Sequence, residues 1–128
     1  MAKQKIAIIE DDIAIAEMYL FKLRQSGYDV KTAHNGSEGL ELLTDFRPDL
    51  VLLDLMMPVM TGDELLEQVR TTTWGSQLRV IILTNISKDE APSKLRFLHV
   101  DRYIVKAHYT PAQVVKIVEE VLSQPSAK

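Results

Sequence analysis

Apolar residues gather in short unbroken runs: Ile6-Ala7-Ile8-Ile9, Leu50-Val51-Leu52-Leu53 and Val80-Ile81-Ile82-Leu83. Runs this short, rich in Ile, Leu and Val and bounded by polar residues or proline, predict strands buried on both faces. Tyr28 to Ala33, with Val30 inward, and Tyr103-Ile104-Val105 predict two shorter strands. Between the strands the apolar positions fall into helical spacing. Ile13, Ala16, Met18, Leu20, Phe21 and Leu23 lead to Ser26-Gly27, where a left-handed glycine can end a helix. Asp12 is expected to cap or precede that helix. After Asn35-Gly36, Ser37 is placed to cap a second helix through Leu40, Leu42 and Leu43. Thr61-Gly62-Asp63-Glu64 is a capping box, so a third helix runs to about Arg70.

Thr71 to Gln77 reads as a polar loop holding the single tryptophan, Trp74. Ser87 to His99 predicts a fourth helix, disturbed by Pro92, which a helix tolerates only in its first turn. That helix is expected to start late or irregularly. Thr110-Pro111-Ala112-Gln113 is a second capping box with proline at the first helical position. It opens a last helix carrying Val114, Val115, Ile117, Val118, Val121 and Leu122, and Ser123 onward reads as a frayed tail. Five strands thus alternate with five helices. Alternation of this kind implies a parallel sheet with right-handed crossovers and helices on both faces. Five βα units are too few for an eightfold barrel. The expected class is α/β, a flavodoxin-like doubly wound (βα)5 three-layer sandwich with strand order 2-1-3-4-5.

Composition narrows the possibilities. The chain has 128 residues, 46% of them hydrophobic and 26% charged, which suits one globular domain over 1–128 with its core at about 5–122. Net charge is −3 with no basic run, so nothing marks a nucleic-acid partner. Cysteine is absent, which excludes disulfides and thiolate chemistry. The apolar runs are too short to span a bilayer, and Met1 to Lys5 leads straight into a strand without a signal-peptide core. A cytoplasmic protein without a membrane partner is expected.

The chemistry lies at the C-terminal ends of the strands, where open α/β sheets bind ligands. The first strand ends in Glu10, Asp11 and Asp12, the third in Asp54, the fourth in Thr84 and the fifth in Lys106. In order 2-1-3-4-5 the third strand is central, so these residues converge around Asp54. Carboxylates sharing one site repel, and a divalent cation relieves that repulsion. Oxygen-only ligands suit Mg²⁺, which keeps waters and takes one or two carboxylates plus phosphate oxygens. An aspartate can attack phosphorus and form an aspartyl phosphate. The charge on the moving phosphoryl oxygens then needs neutralising, and the Lys106 ammonium and Thr84 hydroxyl are placed to help.

These residues carry a resemblance to the receiver domains of two-component response regulators. The motifs are Ile8-Ile9-Glu10-Asp11-Asp12, Leu53-Asp54-Leu55-Met56-Met57-Pro58 with Gly62, Ile82-Leu83-Thr84, and Asp101-Arg102-Tyr103-Ile104-Val105-Lys106. They cover the chain from about Lys5 to Leu122. The resemblance implies that Asp54 takes a phosphoryl group from the phosphohistidine of a sensor histidine kinase or phosphotransfer protein. It implies that Asp11, Asp54 and the Met56 carbonyl bind Mg²⁺, with Glu10 assisting through water. Thr84 and Lys106 would bind the phosphoryl group, and Tyr103 would be the rotating switch aromatic. The implied activity is that of a stand-alone switch, a monomer or phosphorylation-dependent dimer. It would catalyse only its own phosphotransfer and dephosphorylation. Its implied output is a protein target on the fourth helix, fifth strand and fifth helix. The chain departs from the family pattern at two positions. Asn85 replaces the usual Ala or Gly after the threonine, and Ala107 the usual proline after the lysine, so a trans Lys106–Ala107 peptide is expected.

Other readings fit less well. A flavin or nucleotide site needs a Gly- or Ser/Thr-rich phosphate loop, whereas the first loop here is acidic. An aspartate-based phosphohydrolase usually carries a second carboxylate two residues on, where this chain has Met56. A receiver that only binds partners would not need Asp11, Asp54, Thr84 and Lys106 together. His34, His99 and His108 are scattered and read as surface or loop residues rather than a metal site.

Overall fold

Alternate residues of each strand enter opposite cores, and this parity organises the molecule. The computed structural model describes residues 3–125. Strand β1 (Lys5–Ile9) sends Ile6 and Ile8 to one face and Ala7 and Ile9 to the other. Strands β3 (Leu50–Leu53) and β4 (Arg79–Thr84) repeat the division. Leu50, Leu52, Ile81 and Leu83 join the first core; Val51, Leu53, Val80 and Ile82 join the second. All of these side chains are buried, which is why the sequence shows continuous apolar runs rather than alternation. Strands β2 (Asp29–Ala33) and β5 (Arg102–Val105) form the edges, and their burial is interrupted. Every pairing is parallel and the order is β2-β1-β3-β4-β5, the expected doubly wound sheet.

Helices α1 (Ile13–Gln25) and α4 (Pro111–Ser123) cover the first face. Ala16, Tyr19 and Leu23 of α1 pack there with Val114, Ile117, Val118 and Val121 of α4. Helices α2 (Gly36–Phe46) and α3 (Gly62–Arg70) cover the second face through Leu43, Leu65, Leu66 and Val69. Asp12 caps α1, its carboxylate accepting from the Ile15 N–H at 3.1 Å. Both capping boxes are formed, at Thr61 and Thr110, each such cap contributing about 1 kcal/mol. The second helix corrects the sequence reading. Its cap is Asn35 rather than Ser37: Asn35 Oδ1 accepts from the Glu38 N–H at 2.8 Å and Ser37 lies inside the helix.

A larger correction concerns the expected fourth helix. The β4–β5 connection holds two short 3₁₀ segments, Lys88–Glu90 and Ser93–Phe97, and no α-helix, so among the described residues four α-helices accompany the five strands. Proline restricts the residue before it to extended geometry. Ala91 accordingly has φ −66° and ψ 149°, and Pro92 itself has ψ 132°. Helical geometry cannot pass through them. The stretch that remains ends at His99, whose φ is 54°, and is too short to repay helix nucleation. Leu95 alone of this segment is buried, while Phe97 is exposed. After β5 the chain makes a third 3₁₀ turn, Lys106–His108. No peptide bond among the described residues is cis, so Lys106–Ala107 is trans as expected. Met1, Ala2 and the end of the expected tail lie outside the described residues. No helix among them is long and apolar enough to cross a membrane.

Candidate functional site

Sheet register brings the acidic residues together. Ile9 pairs with Leu53, so the next residues along, Glu10 and Asp54, leave adjacent strands side by side. The Asp54 N–H donates to the Ile9 carbonyl at 3.0 Å, and the Glu10 N–H to the Ala33 carbonyl at 3.0 Å. Both side chains are buried, Glu10 at 3% and Asp54 at 5% exposure, although each is an acid. Buried acids need partners. Asp54 Oδ1 accepts from the Met56 N–H at 3.2 Å, and Glu10 Oε2 from the Asp12 N–H at 3.0 Å.

Lys106, the residue after β5, supplies the counter-charge. Its Nζ lies 2.5 Å from Glu10 Oε1 and 3.3 Å from Asp54 Oδ2. The two partners respond differently to enclosure. Burial pushes the Glu10 carboxyl up to about 7, outweighing the hydrogen bonds from Lys106 and the Asp12 N–H, and the Asp54 charge adds to the rise. For Lys106, burial alone would depress the ammonium. Its hydrogen bond with Glu10 and the charges of both acids outweigh that, and its pKa is raised. The lysine is therefore firmly protonated, and Glu10 is the group whose proton is loosely held near neutrality.

Asp11 completes the cluster from an exposed position. One carboxylate oxygen each from Glu10, Asp11 and Asp54 lie within 4.8 Å of one another. Three carboxylates at this spacing form an oxygen-only donor set with surplus negative charge, which fits a hard divalent cation such as Mg²⁺. Met56, whose carbonyl the sequence reading adds to this set, has its N–H on Asp54 and its side chain turned to solvent.

The loop after β3 is built around close approach. The Gly62 N–H donates to the Leu55 carbonyl at 3.0 Å, and a Cβ at Gly62 would meet the Asp54 carbonyl oxygen at 2.2 Å. Only glycine lets the start of α3 rest against the Asp54 backbone. Thr84 ends β4 completely buried, and its hydroxyl accepts from the Ile86 N–H at 3.5 Å. Tyr103 is half-buried in β5, and its hydroxyl donates to the Ile86 carbonyl at 2.8 Å and reaches the Ser87 carbonyl at 3.4 Å. Direct contacts thus unite Glu10, Asp54 and Lys106, with Asp11 alongside. Thr84 and Tyr103 form a second group that meets at Ile86.

Sequence reasoning missed two residues, one beside this cluster and one at the opposite edge of the sheet. His34 lies in a loop as read, yet its ring is half-buried and Nδ1 sits 3.0 Å from the Glu10 carbonyl oxygen. Arg70 gathers the carbonyls of Gly75, Ser76, Leu78, Leu98 and His99, tying the end of α3 to both following loops. The partners of both are backbone oxygens, which leave no trace in side-chain patterning.

The sequence pattern of the response regulator receiver domain matches residues 6–119. The chain belongs to this family. Among curated proteins this receiver domain is 39% identical, over 108 residues, to the uncharacterized transcriptional regulatory protein YkoG of Bacillus subtilis, covering 83% of this chain and 46% of that protein. It is 40% identical over 80 residues to the response regulator MprA of Mycobacterium ulcerans, covering 62% of this chain and 34% of that one. The chain therefore spans half or less of the length of these curated relatives. Among solved structures it resembles chemotaxis response regulator CheY4 of Vibrio cholerae, with 28% identity, TM-score 0.85, and coverage of 94% and 99% of the two chains. The CheY-like receiver domain protein of Methanospirillum hungatei is comparable, at 29% identity, TM-score 0.84 and 94% coverage of each chain. Glu10, Asp11 and Asp54 stand at the C-terminal edge of this sheet.

Proposed function

We propose that this receiver domain accepts a phosphoryl group on Asp54 from the phosphohistidine of a sensor histidine kinase or phosphotransfer protein. A carboxylate oxygen of Asp54 attacks phosphorus, the bond from phosphorus to the imidazole nitrogen breaks, and the nitrogen leaves with the electron pair. The carrying observation is a buried aspartate at the end of the central strand, with Lys106 Nζ at 3.3 Å and two more carboxylates beside it. Mg²⁺, held by Asp11, Asp54 and the Met56 carbonyl with Glu10 assisting through water, would supply positive charge for the phosphoryl oxygens. Lys106 gives up its contact with Asp54 Oδ2 and follows the charge onto a phosphoryl oxygen. The Met56 N–H holds the other Asp54 oxygen and fixes the orientation of the carboxylate.

The output follows from Thr84. A phosphoryl group on Asp54 offers its hydroxyl a stronger acceptor than any it has now, drawing Thr84 toward the site. Ile86 is bonded both to the Thr84 hydroxyl and to the Tyr103 hydroxyl, so a pull on Thr84 reaches Tyr103 through one residue. The surface that changes comprises the β4–β5 connection, β5 and α4, and a downstream protein would read it. This equilibrium exists before phosphorylation, which shifts it. A cytoplasmic location, where such kinases present phosphohistidine, belongs to the same reading.

The test uses phosphoramidate, a small donor with a phosphorus–nitrogen bond, with Mg²⁺. Wild type should be phosphorylated and Asp54→Asn should not, while both remain folded. Stoichiometric phosphorylation of Asp54→Asn would overturn the assignment.

A further inference from the structure

Of the three carboxylates in the cluster, two are held through their own oxygens. Asp54 is gripped by the Met56 N–H and Lys106, Glu10 by the Asp12 N–H and Lys106. Asp11 differs: it is exposed, and no hydrogen bond from a described residue holds its carboxylate. Its aim is set by its backbone, through the peptide joining it to Glu10.

Strand β1 ends at Ile9, so sheet pairing no longer satisfies the Glu10 carbonyl. His34 Nδ1 lies 3.0 Å from that oxygen. A carbonyl can only accept, so Nδ1 carries the proton and donates. The Glu10 N–H already donates to the Ala33 carbonyl, so both backbone groups of Glu10 are fastened to the end of β2. His34 is itself held. Its N–H donates to Glu38 Oε1 at 3.3 Å, and its neighbour Asn35 caps α2. The chain of contacts runs from the start of α2, through the imidazole, to the Glu10–Asp11 peptide.

We propose that His34 is a positioning residue for the cation site. Its bond to the Glu10 carbonyl fixes the Glu10–Asp11 peptide and so aims the Asp11 carboxylate at the cluster with Glu10 and Asp54. This rests on the cation-assisted reading above. A ligand already in place gives up less freedom when the cation arrives. Groups behind metal ligands typically change affinity by about 10- to 100-fold. One hydrogen bond to a backbone oxygen belongs at or below the bottom of that range, about three- to tenfold.

The test is a Mg²⁺ titration of wild type, His34→Ala, His34→Leu and His34→Asn at constant ionic strength, followed by amide resonances. Asparagine places its Nδ2 close to where imidazole Nδ1 stands and keeps the donor; leucine keeps bulk without it. The alanine and leucine variants should bind Mg²⁺ about three- to tenfold more weakly. Their Asp11 and Asp12 amides should already be shifted before Mg²⁺ is added. The asparagine variant should stay near wild type in both respects. Wild-type affinity and unmoved Asp11 and Asp12 amides in whichever donor-free variant folds would overturn the proposal. So would an equal loss in the asparagine variant. If wild type itself binds no Mg²⁺ at millimolar concentration, the cation-assisted reading fails. The metal-free Asp11 shift in the donor-free variants then decides alone whether His34 holds the loop.

Discussion

Lys106 holds Glu10 more closely than it holds Asp54: its ammonium is 2.5 Å from the first and 3.3 Å from the second. The lysine answers the same negative charge that a divalent cation would, so the two cations compete. Replacing Lys106 with methionine removes the competitor while keeping most of the side chain's length. Mg²⁺ affinity should rise, by roughly three- to tenfold from the lost like-charge repulsion. Phosphotransfer should fall by about tenfold or more, because one phosphoryl oxygen loses its counter-charge. Calorimetric titration and a phosphorylation time course measure the two separately. A variant that loses Mg²⁺ affinity would contradict the competition.

Glu10 makes the site sensitive to pH. Its folded-state carboxyl is raised to about 7 from an ordinary 4.5, first by burial. Between those values the folded chain keeps a proton that the unfolded chain has released. This group therefore favours the fold most below the ordinary value, and the benefit is lost as pH rises through about 7. Cation binding has the opposite sign, since a cation favours the deprotonated form of a carboxylate beside it. Mg²⁺ affinity should climb with pH to about 7, by at most about tenfold per pH unit, then level off. Glu10→Gln should flatten the profile. Equal wild-type affinity at pH 6 and pH 8 would contradict this role.

Val59 stores backbone strain in the loop between β3 and α3. Its φ is 73°, and the Met60 N–H donates back to the Pro58 carbonyl at 2.8 Å in a γ-turn. A β-branched residue in that region costs about 1–3 kcal/mol. Val59 is 81% exposed, so glycine there gives up almost no packing. Allowing for the greater freedom of unfolded glycine, Val59→Gly should stabilise the domain by about 1 kcal/mol. Its melting midpoint should rise by roughly 3–6 °C. A lowered midpoint would show that the turn is not strained.

The lifetime of the phosphorylated state turns on Met56 and its surroundings. Met56 is 61% exposed, two residues beyond Asp54, and its thioether cannot orient a water for attack on phosphorus. Ile86, two residues beyond Thr84, is equally apolar, and Asn85 stands exposed between them. Slow loss of phosphate is expected, with Met56→Asn releasing it about tenfold faster by holding a water in line. Phosphate release from the purified phosphoprotein in Mg²⁺ decides. Loss within seconds in wild type, or no acceleration in the variant, would contradict the argument from polarity.

Much of this was legible in the sequence because burial on both faces leaves unbroken apolar runs. Ile6 to Ile9, Leu50 to Leu53 and Val80 to Leu83 announce their strands, and the residues ending them announce the site. Thr61 and Thr110 mark helix starts through local hydrogen bonds, which sequence spacing encodes directly. Asn35 and Ser37 both suit a cap, and spacing alone could not choose between them. Pro92 warned of an irregular fourth helix, but not that no α-helix would survive, because His99 limits the segment from its other end. His34 and Arg70 stayed hidden for another reason. Their roles are hydrogen bonds to backbone oxygens of distant segments, which any residue type could supply.

The most direct measurement is the position of the phosphoryl group itself. The chain is incubated with acetyl phosphate and Mg²⁺, the acyl phosphate is trapped by borohydride reduction, and the reduced residue is located by tandem mass spectrometry. Reduction at Asp54 alone, dependent on Mg²⁺ and weakened in Asp11→Ala, is the expected result. Modification at another residue, or at Asp54 to the same extent without Mg²⁺, would contradict the assignment of this cluster as the phosphoacceptor site.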